Sequence, residues 1–281
     1  MAESGSSSLR MNIGTETGDA IGARRSAYMW TSARAIVLPV ALALAVLFAW
    51  ELAVRLGNVP EVILPAPSAI TRMMLDQHAI LLKHAIPTTL ESAGGFVIAS
   101  LLGIGLAILI TYSTIAREAL YPNLVFFQLI PKIALAPLFI IWLGIGAQSR
   151  LAFSVFIAFF PIVIATTAGL LSVDRNMVRL CRSLTATEWQ VFRSVRFPAA
   201  LPYIFSGMKI AMTLAIIGVI IGEFITAQQG LGYLIIFATA RADTVIAMAA
   251  IAVLCIAGLG LYGLVAAAEW FANRTYGMPK E

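Results

Sequence analysis

Residues 172–205 read Ser-Val-Asp-Arg-Asn-Met-Val-Arg-Leu-Cys-Arg-Ser-Leu-Thr-Ala-Thr-Glu-Trp-Gln-Val-Phe-Arg-Ser-Val-Arg-Phe-Pro-Ala-Ala-Leu-Pro-Tyr-Ile-Phe, a polar interruption with five arginines in an otherwise apolar chain. Read as a helix over 174–184, Arg175, Arg179 and Arg182 share one face, and Met177, Leu180, Cys181 and Leu184 fall on the other. Asp174 has the side chain and position of an N-cap. Thr185-Ala-Thr-Glu188 matches a capping box and predicts a second helix, which Pro198 and Pro202 should close. The stretch thus predicts two short amphipathic helices between apolar spans, a docking element. Amphipathicity alone fits equally well a basic loop resting on lipid headgroups.

Outward from this loop the chain is a membrane protein. Hydrophobic residues make up 60% of its 281, charged residues 12%, and the mean hydropathy is +0.91. One polytopic domain follows from those values. The first 30 residues are rich in Ser, Gly and Thr, lack the pattern of a cleaved signal, and predict a disordered tail. A first span is expected within 31–57, centred on 35–56, with Trp30 and Trp50 near its ends. The segment 58–83 predicts an amphipathic helix over 69–83 that offers Ile70, Met73, Met74 and Leu81 to the membrane surface. Further spans are expected at 85–113, 120–145, 151–173, 207–227 and 244–270, followed by a short tail over 271–281. Ala99, Gly103 and Ala107 repeat every four residues and permit close helix contact in lipid. Pro122, Pro131 and Pro137 should break the third span.

Six spans with both termini inside place 13 basic residues on the cytoplasmic side, 5 outside and Lys132 within a span, which accounts for all 19. The net charge of +5 is dispersed among the spans, so it indicates topology and not nucleic acid. Cys181 and Cys255 form no metal-ligand pattern, and His78 and His84 read as loop residues at a membrane edge. There is no phosphate-binding loop, zinc-protease helix or set of paired intramembrane carboxylates. No catalytic residue, metal or cofactor is therefore expected in this chain. Active transport would draw its energy from another subunit.

Two ionisable residues fall inside spans. Lys132 lies roughly 18 Å into the third and Glu223 roughly 24 Å into the fifth at 1.5 Å per residue. A structural ion pair, or a snorkelling Lys132, is the simpler reading, and an anion pathway lined by Lys132 is the alternative.

The register Arg179-Leu-Cys-Arg-Ser-Leu-Thr185, nine residues, then Val195-Arg-Phe-Pro198, resembles the EAA loop of ABC importer permeases. That motif runs Glu-Ala-Ala, three residues, Gly, nine residues, Ile-x-Leu-Pro. Here Arg179 replaces the Glu, Leu180 and Cys181 the alanines, and Thr185 the turn glycine. Residues Pro131–Gly146 and Gly230–Leu234 are similar to stretches of the nitrate, sulfonate and taurine branch of these permeases. The resemblance implies an all-α type I importer fold, with a five-span core at 84–270 preceded by one extra span. It implies import by alternating access at a bacterial inner membrane. Two copies of the permease would pair, two ATPase subunits would dock on the loop, and a periplasmic or lipid-anchored binding protein would deliver a small, anionic solute. Asp174, Arg175, Met177, Arg179, Cys181, Arg182, Leu184 and Thr185 would form the coupling surface. An ion-coupled carrier without an ATPase, or a scaffold whose basic loop binds lipid, would lack the need for such a surface.

Overall fold

Three proline-containing helices meet near the basic loop, and their contacts define the architecture. The computed structural model describes residues 37–226 and 228–276. The expectations for the N-terminal tail, Trp30 and the last five residues lie outside them. Every regular element among the described residues is helical. The first, α1 (Val37–Leu56), is long and apolar enough to cross a membrane. It belongs with Leu64–Ser68 to one unit of the chain, in which Glu51 accepts hydrogen bonds from the Ser68 backbone N–H (3.0 Å) and hydroxyl (2.7 Å).

The second unit comprises Glu61–Ile63 and the chain from Ala69 onward. After α2 (Pro67–Asp76) come α3 (His78–Tyr112), α4 (Thr114–Leu129), a 3-10 turn (Lys132–Leu135), α5 (Ala136–Leu143) and α6 (Ala147–Leu171). The loop carries α7 (Arg175–Ser183) and α8 (Glu188–Val191), and α9 (Phe197–Thr226), α10 (Leu231–Ala240) and α11 (Thr244–Thr275) complete the chain. Among the described residues five helices meet the length and hydropathy of a membrane span, or six when α4 and α5 count as one bent span.

The core lies where α3, α6, α9 and α11 meet, around Phe96, Ala158, Ile162, Phe205, Met212 and Leu261. Small residues set the spacing. Ala99 and Ala107 are fully buried, and a Cβ on Gly103 would come within 2.9 Å of Ile162. From the other side, a Cβ on Gly218 would sit 2.8 Å from the Ser154 Cα. Backbone-to-backbone approach of this kind replaces the hydrophobic drive that is missing between helices in lipid.

Several sequence expectations need correction. Ile70 and Leu81 are buried in protein instead of lying on lipid, and Leu81 belongs to α3, which begins at His78. The third span is broken as expected, with a 91° bend between α4 and the following helices, but at Pro131 alone of the three prolines. Pro131 enforces it: Ile130, the residue before it, is held extended at φ −67, ψ 133. Pro122 is accommodated inside α4, and Pro137 sits at the start of α5, where its missing N–H costs nothing. Pro198 and Pro202 do not close the loop. Residues Phe192–Arg196 form a π turn, so α8 runs on into α9 as a single helix of 39 residues, Glu188–Thr226. The wider turn lets the Phe197 N–H reach the Phe192 carbonyl and accommodates the proline ring that follows. Most of the Gly230–Leu234 stretch lies in a helix that the sequence reading did not expect, α10, for which Gly230 is the N-cap.

Candidate functional site

The loop between α6 and α9 is built from its caps inward. The Asp174 carboxylate accepts from the Asn176 N–H at 2.8 Å, as its N-cap position predicts. The other end of α7 departs from expectation. Thr185 does not cap the second helix from an extended conformation; it sits at φ 61. Its N–H donates to the Arg182 carbonyl (3.0 Å) and the Ala186 N–H to the Cys181 carbonyl (3.1 Å), the two bonds of a Schellman stop. That motif needs a left-handed residue at this position, which explains the glycine of the resembling loop. Thr185 retains the conformation despite its branched side chain. The cap of α8 is Thr187, paired reciprocally with Gln190, whose N–H reaches the Thr187 hydroxyl at 3.3 Å while the Thr187 N–H reaches the Gln190 Oε1 at 2.7 Å. Left-handed strain on a non-glycine residue is of order 1 kcal/mol. Thr185→Gly is therefore expected to slow amide exchange across 181–187 by about fivefold; unchanged exchange would mean that the threonine is unstrained.

Between these caps α7 presents two faces. Val178 points inward and is buried. Met177, Leu180 and Leu184 are exposed, Leu184 by 72%, and Cys181 is half-buried. Nothing among the described residues covers this apolar stripe. On the other face, Arg182 pairs with Glu188 at 2.6 Å, and Arg175, Arg179 and Arg182 line a cavity of about 400 Å³ with Arg117 and Arg196. The sequence reading missed the last two, which entered it only as topology-setting charges. It also missed Trp189, 68% exposed and stacked on Phe192 at 5.5 Å. Its place in a capped amphipathic helix beside the apolar stripe was the available signal.

Lys132 and Glu223 are not paired. The Lys132 ammonium donates to the Gln128 carbonyl at 3.1 Å, closing the end of α4, and lies 5.2 Å from the centre of the Phe160 ring. A cation at the C-terminal carbonyls of a helix is favoured by the helix dipole. Phe160 lies midway along α6, so Lys132 is at mid-depth, as the rise per residue predicts.

Glu223 serves the α9–α10 corner. It is 2% exposed, and its two oxygens accept from the Thr88 hydroxyl and the Gly232 N–H, each at 2.7 Å. Thr88 in turn accepts from the Leu231 N–H (2.9 Å), and the His84 Nδ1 accepts from the Gly230 N–H (3.1 Å). Three successive N–H groups at the start of α10 are thus satisfied by α3 and α9, which fixes the corner. Gly230 (φ 116) and Gly232 allow it: a Cβ on Gly232 would lie 2.8 Å from Glu223 Oε2, and one on Gly230 would collide with Oε1. Nearby, Arg150 forms a two-pronged bond to Glu91 at 2.7 and 2.5 Å, with its stem packed on Gly222. Glu223, His84, Arg150 and Glu91 thus each have a hydrogen-bond partner in or beside the corner.

Comparison with known proteins agrees with the architecture. Residues 99–275 match the family of binding-protein-dependent transport system inner membrane components. A probable ABC transporter permease protein of Haemophilus influenzae is 33% identical, over 85% of this chain and 96% of its own. A riboflavin transport system permease protein of Chloroflexus aurantiacus is 34% identical over 84% and 88%. A putative aliphatic sulfonates transport permease protein of Bacillus subtilis is 30% identical over 83% of each. A chain of a methionine ABC transporter in an inward-facing conformation aligns over 68% of this chain and 97% of its own, with a TM-score of 0.55 and 17% identity, which establishes the fold. The chain belongs to the family of binding-protein-dependent transport system inner membrane components, as an ABC importer permease of type I fold.

Proposed function

We propose that this permease forms a homodimer that carries a small, anionic solute of the sulfonate class across a bacterial inner membrane, with both termini cytoplasmic. ATP is hydrolysed on two separate ATPase subunits that dock on α7 and α8, and a periplasmic or lipid-anchored binding protein delivers the solute. The observation that carries this reading is α7: a helix capped at both ends, with Met177, Leu180 and Leu184 left exposed. Docking there drives the spans as rigid bodies. Support for pairing comes from α4, which buries none of its residues, and from Ile141 and Trp142 on α5, exposed by 75% and 67%.

Support for an anionic solute comes from Lys132, a mid-depth cation without a carboxylate partner among the described residues. The sulfonate permease relative points the same way. A second reading, a heteroaromatic solute, is favoured by the riboflavin permease relative, whose identity is slightly higher.

Vesicles containing the chain, its ATPase and its binding protein should accumulate a sulfonate only with ATP. Lys132→Met should leave the assembly intact, since the lysine has no buried counter-charge to orphan, and lower sulfonate uptake by about tenfold through loss of one charge attraction near 1.4 kcal/mol. Uptake without ATP would reject the ABC assignment. Full activity in Lys132→Met would leave the lysine as a cap of α4 alone.

A further inference from the structure

The cavity behind α7 carries a charge excess that its own surroundings do not balance. Its walls come from the α3–α4 corner (Thr111, Arg117), the end of α6 (Leu170, Leu171), α7 and Arg196 of the π turn, and no Asp or Glu among the described residues lines it. Of its five arginines, Arg182 alone has an ion-pair partner among the described residues. Arg117 is positioned by the Thr111 and Ile110 carbonyls at 2.6 and 3.4 Å. Arg196 is held with its guanidinium 5.3 Å from the Tyr112 ring centre, and its Nε is buried without a partner among the described residues. A buried guanidinium N–H without an acceptor is costly, and several unbalanced cations around one space raise its affinity for an anion.

We propose that this cavity binds a phosphate-type oxyanion, and that the phosphodiester of an anionic lipid headgroup is its source. Planar guanidinium forks match phosphate oxygens two at a time, and a volume of about 400 Å³ exceeds the needs of a bare ion. Leu170, Leu171 and Val178 supply an apolar wall beside the arginines, as the junction of a headgroup with its glycerol and chains requires. The level is also right: the cavity opens at the ends of two spans, and Tyr112, Phe192 and the exposed Trp189 form a run of touching aromatic rings there. Such rings gather at the membrane interface. The occupant would clamp α7 to α3 and α6, so lipid charge would set how firmly the docking helix is held. The proposal concerns the permease alone and does not depend on which ATPase or solute it serves.

The test is thermal unfolding of the purified full chain in neutral detergent, titrated with phosphatidylglycerol, phosphatidylcholine or inorganic phosphate. Phosphatidylglycerol should raise the midpoint of unfolding and phosphatidylcholine should not. Arg175→Gln with Arg179→Gln, both exposed and unpaired, should shift the phosphatidylglycerol titration to about tenfold higher concentration through loss of charge-assisted bonds. Arg193→Gln with Arg274→Gln, an equal charge change outside the cavity, should not. A shift produced by inorganic phosphate and lost in the double variant would uphold the oxyanion site with a soluble ligand. The proposal fails if no phosphate compound stabilises the chain, or if the double variant responds as the unaltered chain does. It also fails if the double variant binds phosphatidylglycerol normally and loses only ATPase capture, which would assign the arginines to acids of that subunit.

Discussion

Gly230→Ala is expected to lower the unfolding midpoint of the purified permease by about 6–12 °C. Two costs coincide. At φ 116 an L side chain is strained, and the added methyl would occupy the space of Glu223 Oε1. Moving the carboxylate away would strand the Thr88 hydroxyl and the Gly232 N–H, both donors to it. Strain plus a buried unsatisfied donor amounts to about 3 kcal/mol, and about 2–4 °C accompany each kcal/mol in a chain of this size. Glu223→Gln should cost less, about 1–2 kcal/mol, because the amide keeps the shape but presents N–H to one of two donors. If Gly230→Ala melts with the unaltered protein, the turn relaxes at no cost and Glu223 must be assigned another role.

The second large effect is on assembly. Leu184→Asp should weaken capture of the ATPase subunit by 100-fold or more while leaving the permease folded in the membrane. Leu184 is 72% exposed in the free chain, so its loss removes little internal packing. Burying a leucine in a partner's groove contributes about 1.5–3 kcal/mol, and desolvating a carboxylate in its place adds further cost. Co-purification of tagged permease with its ATPase measures the loss. Leu184→Met, similar in volume, should bind normally. An intact complex with Leu184→Asp would move the docking face off the apolar side of α7.

These residues also show what the sequence made legible. Asp174 announced itself as a cap because the signal is local: an acid one residue before an amphipathic period. Ala99, Gly103 and Ala107 marked a close-contact face of α3 through spacing alone, though not its partner α6, and the Pro131 break follows from the geometry of one peptide bond. Thr185 was misassigned because two overlapping capping patterns compete. Thr185-x-x-Glu188 and Thr187-x-x-Gln190 both fit, and the stop of the preceding helix decides between them by taking Thr185 for its left-handed residue. The partners of Glu223 were out of reach for a different reason. Thr88 lies 135 residues away, so depth in the membrane suggested Lys132 as counter-charge when the actual partners are a hydroxyl and a peptide N–H. The arginine cavity required three separated segments to be brought together, and no local pattern encodes that.

The π turn at 192–196 has a mechanical consequence. It removes the joint that two prolines would have placed between docking element and span, leaving one unbroken rod from Glu188 to Thr226. At 1.5 Å per residue its 39 residues reach about 58 Å, so a tilt of about 10° about one end sweeps the other through about 10 Å. If the ATPase docks as proposed, a displacement applied at Glu188 would reach the carboxylate that anchors α10 along one continuous helix.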